Sequence, residues 1–246
     1  MRVSIITAVF NRANTVGDAL DSLRAQTHPD VEHVIIDGGS TDDTLPVIRA
    51  RAHPRAVIVS EPDHGIYDAL NKGLARASGE IIGLLQSDDI LAQDEVLANV
   101  ARAFASGPIH AVYGDLDYVR RDDPARIVRR WRSGAFSPEK LRYGWMPPHP
   151  ALFLRRDVID RFGGYDTSFR IAGDYDAILR YFSSDGFKAA YIPEVLVKMR
   201  LGGESNRSLG RILRKSREDY RAIRRNNVGG LHTIVSKNLR KVGQFF

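Results

Sequence analysis

Four short, continuously apolar runs, each closing on a polar cluster, recur across residues 3–89. Val3-Ser4-Ile5-Ile6-Thr7-Ala8-Val9 stops at Phe10-Asn11-Arg12, and Val34-Ile35-Ile36 closes on Asp37-Gly38-Gly39-Ser40. Ala56-Val57-Ile58-Val59 runs into Glu61-Pro62-Asp63-His64, and Glu80–Leu85 ends at Gln86-Ser87-Asp88-Asp89. Runs of this length, rich in β-branched residues and too apolar to be half-exposed, predict strands buried on both faces. Between them lie helical patterns. Val16, Leu20 and Leu23 recur at helical spacing up to Gln26; a second helix, capped by Thr41 with Asp42 and Asp43 in its first turn, runs to about Ala52; a third spans about Ile66 to Ala77. This alternation predicts an α/β fold on a mostly parallel sheet, in which ligands bind beyond the carboxyl ends of the strands. All four polar clusters fall on that edge.

The rhythm then lapses. A helix near Glu95–Ala105 leads to a strand at His110–Tyr113 that opens into Gly114-Asp115. Arg120–Arg132 is basic and hairpin-like, Gly144-Trp145-Met146-Pro147-Pro148-His149-Pro150 is a stiff loop, and a helix starts near Arg155. Gly163-Gly164-Tyr165 turns the chain, Asp174–Phe182 is helical, and Phe187–Ile192 is a last short strand. Beyond Arg207 the sequence is basic and helical, with Ile212, Tyr220 and Ile223 among many arginines.

Charge and composition remove several classes of function. Residues 1–119 carry nine Lys/Arg against seventeen Asp/Glu, and residues 120–246 carry 27 against 13. An acidic front half is a poor nucleic-acid platform and a reasonable metal site; a basic back half suits phosphate-rich ligands or an anionic surface. The absence of cysteine excludes disulfides, thiolate metal sites and a cysteine nucleophile. The N-terminus lacks a signal peptide's layout and no apolar stretch approaches a membrane span, so a cytoplasmic location is expected. Neither a Gly-x-Gly-x-x-Gly fingerprint after the first strand nor a P-loop nor a Gly-x-Ser-x-Gly elbow occurs. Asp88-Asp89 at a strand end suits Mg²⁺ or Mn²⁺, and such a cation suits a nucleotide diphosphate; the alternative is turn chemistry or a helix cap.

Taken in order, these segments resemble the family-2 glycosyltransferases of the GT-A fold, a Rossmann-like α/β architecture. The resemblance spans about residues 3–205. Its further pieces are Ser60-Glu61-Pro62-Asp63-His64-Gly65-Ile66-Tyr67-Asp68-Ala69-Leu70-Asn71-Lys72-Gly73, His149-Pro150-Ala151-Leu152-Phe153, Phe162-Gly163-Gly164-Tyr165-Asp166 and Ala172-Gly173-Asp174-Tyr175-Asp176. The subgroup carrying the Glu-Pro-Asp-x-Gly-Ile-Tyr-Asp-Ala motif resembles bacterial exopolysaccharide, colanic-acid and glycolipid enzymes.

The resemblance implies an inverting, metal-dependent transfer of a sugar from a UDP- or GDP-linked donor to a hydroxyl of a glycan or lipid-linked acceptor. It implies donor contacts at Thr7, Ala8, Phe10, Asn11, Asp37, Asp63, Lys72, Gln86, Ser87 and Asp88. Asp88 and Asp89 would hold the metal, Asp174 would be the catalytic base, and Trp145, His149 and Asp115 would line the acceptor side. The implied organisation is a GT-A domain over residues 1–206, with nucleotide-sugar and metal functions in 1–119 and the acceptor in 120–206. Residues 207–246 form a basic helical tail, expected either to pack on the core or to meet an anionic membrane surface at its inner face. Three positions depart from the family pattern: Gln86 for the first Asp of Asp-x-Asp-Asp, Gly38 for the second Asp of Asp-Asp-Gly-Ser, and Gly173 for the Glu before the base. The second leaves the donor base without one side-chain contact.

Each residue also has a plainer reading. Asp37 and Asp63 suit Asx turns, Asp174 suits a helix N-cap, His149 suits a packed loop, and Trp145 and Tyr67 suit a core. The arginines of 120–132 suit a solvated face. The competing functional class is a non-catalytic basic module for membrane or nucleic acid; the one-sided charge and the lack of a basic-aromatic motif speak against nucleic acid.

Overall fold

The apolar runs form strands β1 (Val3–Val9), β2 (Val31–Asp37), β3 (Val57–Ser60) and β4 (Ile81–Leu84), joined by helices α1 (Ala13–Arg24), α2 (Thr44–Arg51) and α3 (Ile66–Arg76). They are seen in a computed structural model that describes residues 1–202 and 209–242. The four strands lie parallel in the order β3-β2-β1-β4. The chain continues through β5 (Asp89–Leu91), α4 (Val96–Ala105), β6 (Ala111–Val119), β7 (Ile127–Trp131), α5 (Pro138–Leu141), a 3-10 turn at His149–Ala151 and β8 (Leu152–Arg155). It ends in α6 (Arg156–Phe162), α7 (Gly173–Phe182), β9 (Ala189–Arg200), α8 (Leu209–Arg225) and α9 (Leu231–Val242).

The sheet extends as β3-β2-β1-β4-β8-β6-β9-β5, with β7 hairpinned onto β6. β8 runs antiparallel between β4 and β6, so β6 and β9 recover the direction of β1 and the sheet is mostly parallel. Side chains alternate across it. Ile6, Ala8, Val34 and Ile36 pack with α3, α7 and α8, whereas Val3 and Ile5 pack with α1 and α4 and Val9 and Ile35 with α1 and α2. Gly73 on α3 lies so close to Ile6 that a Cβ would collide with its side chain, which sets the close approach of α3 to β1.

Several expectations are corrected. The second helix starts at Thr44, not after a Thr41 cap, because Asp42 turns back: its carboxylate accepts from Thr44 N (3.0 Å) and Ala13 N (3.3 Å), tying the starts of α2 and α1 together. The strand at 110–113 does not open at Gly114-Asp115 but continues to Val119, since its interior carboxylates are paired. Asp115 Oδ1 accepts from Ser133 N and the Tyr191 hydroxyl, both at 2.8 Å, and Asp117 Oδ1 from Arg132 at 2.9 Å. The last strand runs to Arg200 as the partner of that longer β6. β5 and β8 were not foreseen; they fall outside the parallel βα rhythm, β5 pairing antiparallel with β9 and β8 antiparallel with β4 and β6.

The boundary expected at 206/207 falls within 203–208, outside the described residues, as does the side chain of Ile212. Where it is described, the basic segment packs on the body. Ala222, Ile223 and Val228 are buried in the same core cluster as α7. Lys237 Nζ meets the buried Asp219 at 2.9 Å and sits 3.1 Å from the centre of the Tyr175 ring. Burial pulls the Lys237 ammonium down to about 7, against the opposing pull of Asp219. Among the described residues no helix is long and apolar enough to cross a membrane.

Candidate active site

The carboxyl ends of β1, β2 and β3 build one end of the site. Phe10, just past β1, is 54% exposed beside Gly38. Asn11 takes a left-handed conformation (φ 50°), its backbone N–H donating to Ser40 Oγ (2.8 Å) and its Oδ1 accepting from Thr41 N (2.9 Å). Asp37 is fully buried and accepts from Ser40 N and from the hydroxyls of Ser40 and Ser60. It organises the rim, as its turn-forming reading predicts. Asp63 Oδ1 accepts from Gly65 N at 2.8 Å, and its other oxygen occupies the space where a side chain at Gly38 would begin.

The carboxylates expected to hold a metal follow β4. Gln86 and Asp88 are half-buried and Ser87 and Asp89 buried, with the turn closed by Asp89 N donating to Gln86 O at 3.0 Å. Asp89 is 1% exposed, and neither of its carboxylate oxygens has a hydrogen-bond partner among the described residues. Burial, reinforced by the Asp88 charge and opposed by the Arg200 backbone N–H and guanidinium, pushes its carboxyl well above the usual carboxylate range. A buried, unsatisfied carboxylate is costly unless something compensates it, and a divalent cation would. Among the described residues no group of three or more His, Asp or Glu forms a metal cage. One or two carboxylates suffice for a cation whose other ligands are phosphates and water, so Asp88 and Asp89 fit that role. Arg200, unforeseen in the sequence, is buried beside them; it donates to Asp88 O at 3.2 Å and pairs with Asp18.

The third component is the start of α7. Asp174 is not an N-cap: Ala172 holds that position, and Asp174 lies half-buried in the first turn, accepting from Tyr175 N at 2.7 Å. Tyr67 reaches across from α3. Its hydroxyl donates to Ile171 O (2.8 Å), accepts from Gly173 N (2.9 Å) and stands 3.5 Å from Asp174 Oδ1. A Cβ on Gly173 would lie 2.8 Å from that ring, so Tyr67 fills the room a side chain at 173 would need. Behind the same loop, one oxygen of Glu218 on α8 accepts from the backbone N–H groups of Arg170, Ile171 and Ala172 at 3.1, 2.8 and 3.0 Å. Glu218 was also missed; nothing in a basic helical pattern marks one carboxylate as a backbone clamp.

Other expected ligand contacts are otherwise engaged. Thr7 is fully buried with its hydroxyl 3.0 Å from His33 Nε2, and Ala8 is buried beside it in the strand. Lys72 is held by Glu61 (3.0 Å), Asp68 (3.5 Å) and Pro62 O (3.0 Å), fastening the 61–65 loop to α3. Trp145 is buried against Tyr113, Phe136 and Phe182 and donates to Ser133 O at 2.8 Å. Asp115 is buried in the sheet as described. His149 sits 2.9 Å from the Tyr165 hydroxyl, and burial lowers its imidazole below the ordinary value while Asp174 opposes that shift.

A mostly parallel α/β sheet with this polar rim is the GT-A glycosyltransferase architecture, and the comparisons agree. The mannosyltransferase PcManGT from Pyrobaculum calidifontis, solved with GDP-Man and Mn²⁺, superposes with a TM-score of 0.70 at 21% identity, covering 96% of this chain and 68% of that one. S. aureus TarS 1–349 with UDP-GlcNAc gives 0.70 at 18%, covering 93% and 66%. Against a longer S. aureus TarS chain, this one spans 39% of the length. The chain belongs to glycosyl transferase family 2, whose profile matches residues 4–164. A PGL/p-HBAD biosynthesis glycosyltransferase of Mycobacterium bovis (strain BCG / Pasteur 1173P2) is 35% identical over 212 residues, covering 82% of this chain and 78% of its own. An uncharacterised glycosyltransferase of Mycobacterium tuberculosis is 36% identical over 188 residues, covering 72% and 68%. The chain is thus a transferase of the glycosyltransferase class.

Proposed function

We propose that this enzyme inverts the anomeric centre of a nucleoside-diphosphate sugar as it passes the sugar to a hydroxyl of a glycan or lipid-linked acceptor. The reading is supported by three chemically distinct parts: Phe10 and Asp63 flanking Gly38, Asp88 and Asp89 just past β4, and Asp174 beside Tyr67, with Tyr118 feeling the charge of both Asp89 and Asp174. An exposed aromatic ring beside a carboxylate suits a nucleobase, the ring by stacking and the carboxylate by accepting its N–H groups. Asp63 thereby offers the carboxylate that position 38 lacks, from a neighbouring loop. UDP and GDP each present a ring N–H that such a carboxylate would accept.

Asp88 and Asp89 would hold Mg²⁺ or Mn²⁺. Once bound, the cation neutralises charge on the departing diphosphate. Asp174 accepts the proton of the acceptor hydroxyl as that oxygen attacks the anomeric carbon from the side opposite the leaving group. The bond from the anomeric carbon to the donor phosphate oxygen breaks as the new glycosidic bond forms, and the electron pair leaves with the nucleoside diphosphate. Tyr67 and Glu218 fix the loop that presents Asp174 without touching substrate. The name of the Mycobacterium bovis relative, a PGL/p-HBAD biosynthesis enzyme, supports a glycolipid-type acceptor.

The test is turnover and product stereochemistry in wild type and Asp174→Asn. Turnover is expected to fall about 10²–10⁴-fold, with donor affinity unchanged and the wild-type product inverted. A retained anomeric configuration, or an active Asp174→Asn enzyme, would overturn the base assignment.

A further inference from the structure

The outer side of α9 is apolar and uncovered. Leu231, Val235 and Leu239 recur every fourth residue and so fall on one face, 70%, 58% and 66% exposed. The opposite side carries Thr233 and Lys237, both buried. α8 repeats the arrangement, with Leu213 and Tyr220 exposed and Ala222 and Ile223 buried.

The charge on these outer faces has a single sign. Arg214, Arg217 and Arg224 of α8 and Arg240 of α9 are exposed. The two acidic residues of 209–242 both turn inward: Glu218 clamps the 170–172 backbone, and Asp219 is buried between Lys215 (3.2 Å) and Lys237 (2.9 Å). Exposed apolar residues and exposed arginines on the same two helices, with no exposed carboxylate on either, call for a covering surface that is both apolar and anionic. A second copy of the chain meets the first requirement and fails the second, because a two-fold contact through this face would oppose arginine to arginine. An anionic bilayer meets both.

We propose that the outer faces of α8 and α9 dock on an anionic lipid surface, with Leu231, Val235 and Leu239 at the acyl boundary and the arginines among the headgroups. The docked helices are also coupled to the site. A Cβ on Gly144 would collide with the Lys237 backbone, Arg240 Nε donates to Tyr143 O at 3.1 Å, and Lys237 covers the ring of Tyr175, the residue after Asp174. The buried side of α9 therefore packs against the residue that follows the proposed base. The docking itself does not depend on the transfer chemistry and is tested without donor or acceptor.

The experiment is co-sedimentation of the full chain with vesicles of phosphatidylcholine alone or mixed with phosphatidylglycerol, at low and high salt. Two variants accompany it: Leu231→Gln/Val235→Gln/Leu239→Gln, which keeps the charge, and Arg214→Gln/Arg217→Gln/Arg224→Gln, which keeps the stripe. Binding to the anionic vesicles is expected. It should weaken as salt rises, fall at least about tenfold in each variant, and be absent from pure phosphatidylcholine. Melting temperatures confirm folding, and the arginine variant, altered only at exposed positions, carries the test if the apolar one does not fold. Failure of wild type to bind anionic vesicles, or undiminished binding by both variants, would overturn the proposal. So would a concentration-dependent dimer, seen by sedimentation velocity, that the glutamine stripe abolishes in the absence of any vesicle binding; the face would then belong to a second copy.

Discussion

Asp174 is oriented through one phenolic oxygen. The Tyr67 hydroxyl bridges Ile171 O and Gly173 N and stands 3.5 Å from the Asp174 carboxylate. Tyr67→Phe removes that oxygen and keeps the ring that packs on Gly173. The expected result is a drop in kcat of about tenfold, the cost of roughly 1.4 kcal/mol of lost positioning, with KM for the donor unchanged. A matching rise in donor KM would show instead that Tyr67 acts on the donor. Asp89 is the residue whose chemistry the fold leaves incomplete, buried with both oxygens unpartnered among the described residues. Asp89→Asn removes the ionisable group and keeps the shape. It is expected to abolish metal-dependent turnover while leaving the melting temperature equal to or above that of wild type, because the substitution also relieves the burial of a carboxylate. A large loss of stability would make Asp89 structural.

Among the elements, α3 shows why motif and function part company. The sequence offers Lys72 of this helix as a donor contact, yet the helix is structural: Tyr67 braces 171–174. Asn71 holds the 164–165 turn through bonds of 2.8 Å in both directions with Tyr165, Lys72 fastens the 61–65 loop, and Gly73 admits Ile6. The four amino-terminal strands and their polar ends were legible because apolar run length and turn residues are local signals. The roles of Tyr67, Glu218 and Arg200 were not, since each depends on a partner about a hundred or more residues away or, for Glu218, on backbone N–H groups that carry no side-chain signature. Trp145 and Thr7 illustrate the converse: residue types suited to ligands were placed in the core by packing that sequence spacing does not encode. α8 and α9 belong to the body through Glu218 and the Asp219–Lys237 pair. Lys237→Met leaves Asp219 buried with only Lys215 beside it, and is expected to cost about 3–5 kcal/mol by urea unfolding. A loss below about 1 kcal/mol would mean the pair is dispensable.

For the whole molecule, two buried histidines contribute to the loss of stability in acid. Burial depresses His33 to about 3 and lowers His149 as well. Their unfolded forms bind protons below about pH 6.5, where the native forms do not, so the histidines' contribution is full above that pH and is lost as pH drops through the window down toward the folded values. Each contributes a slope of up to about 1.4 kcal/mol per pH unit. His33→Gln is expected to remove one proton from the slope of unfolding free energy between about pH 6.5 and 5; an unchanged slope would mean that His33 titrates in the native state. The acidic front half and basic back half meet across the same sheet, and in the proposed reaction a cation and an anionic nucleotide would compensate each other at its carboxyl-end rim. The most direct measurement of that arrangement is calorimetric titration of UDP and GDP into the wild-type enzyme and Asp88→Asn/Asp89→Asn, with Mn²⁺ and with EDTA. One nucleotide is expected to bind the wild type tightly with Mn²⁺, at least about tenfold more weakly in EDTA, and to show no Mn²⁺ dependence in the variant. Nucleotide binding of equal strength in EDTA, or an equal Mn²⁺ effect in the variant, would contradict it.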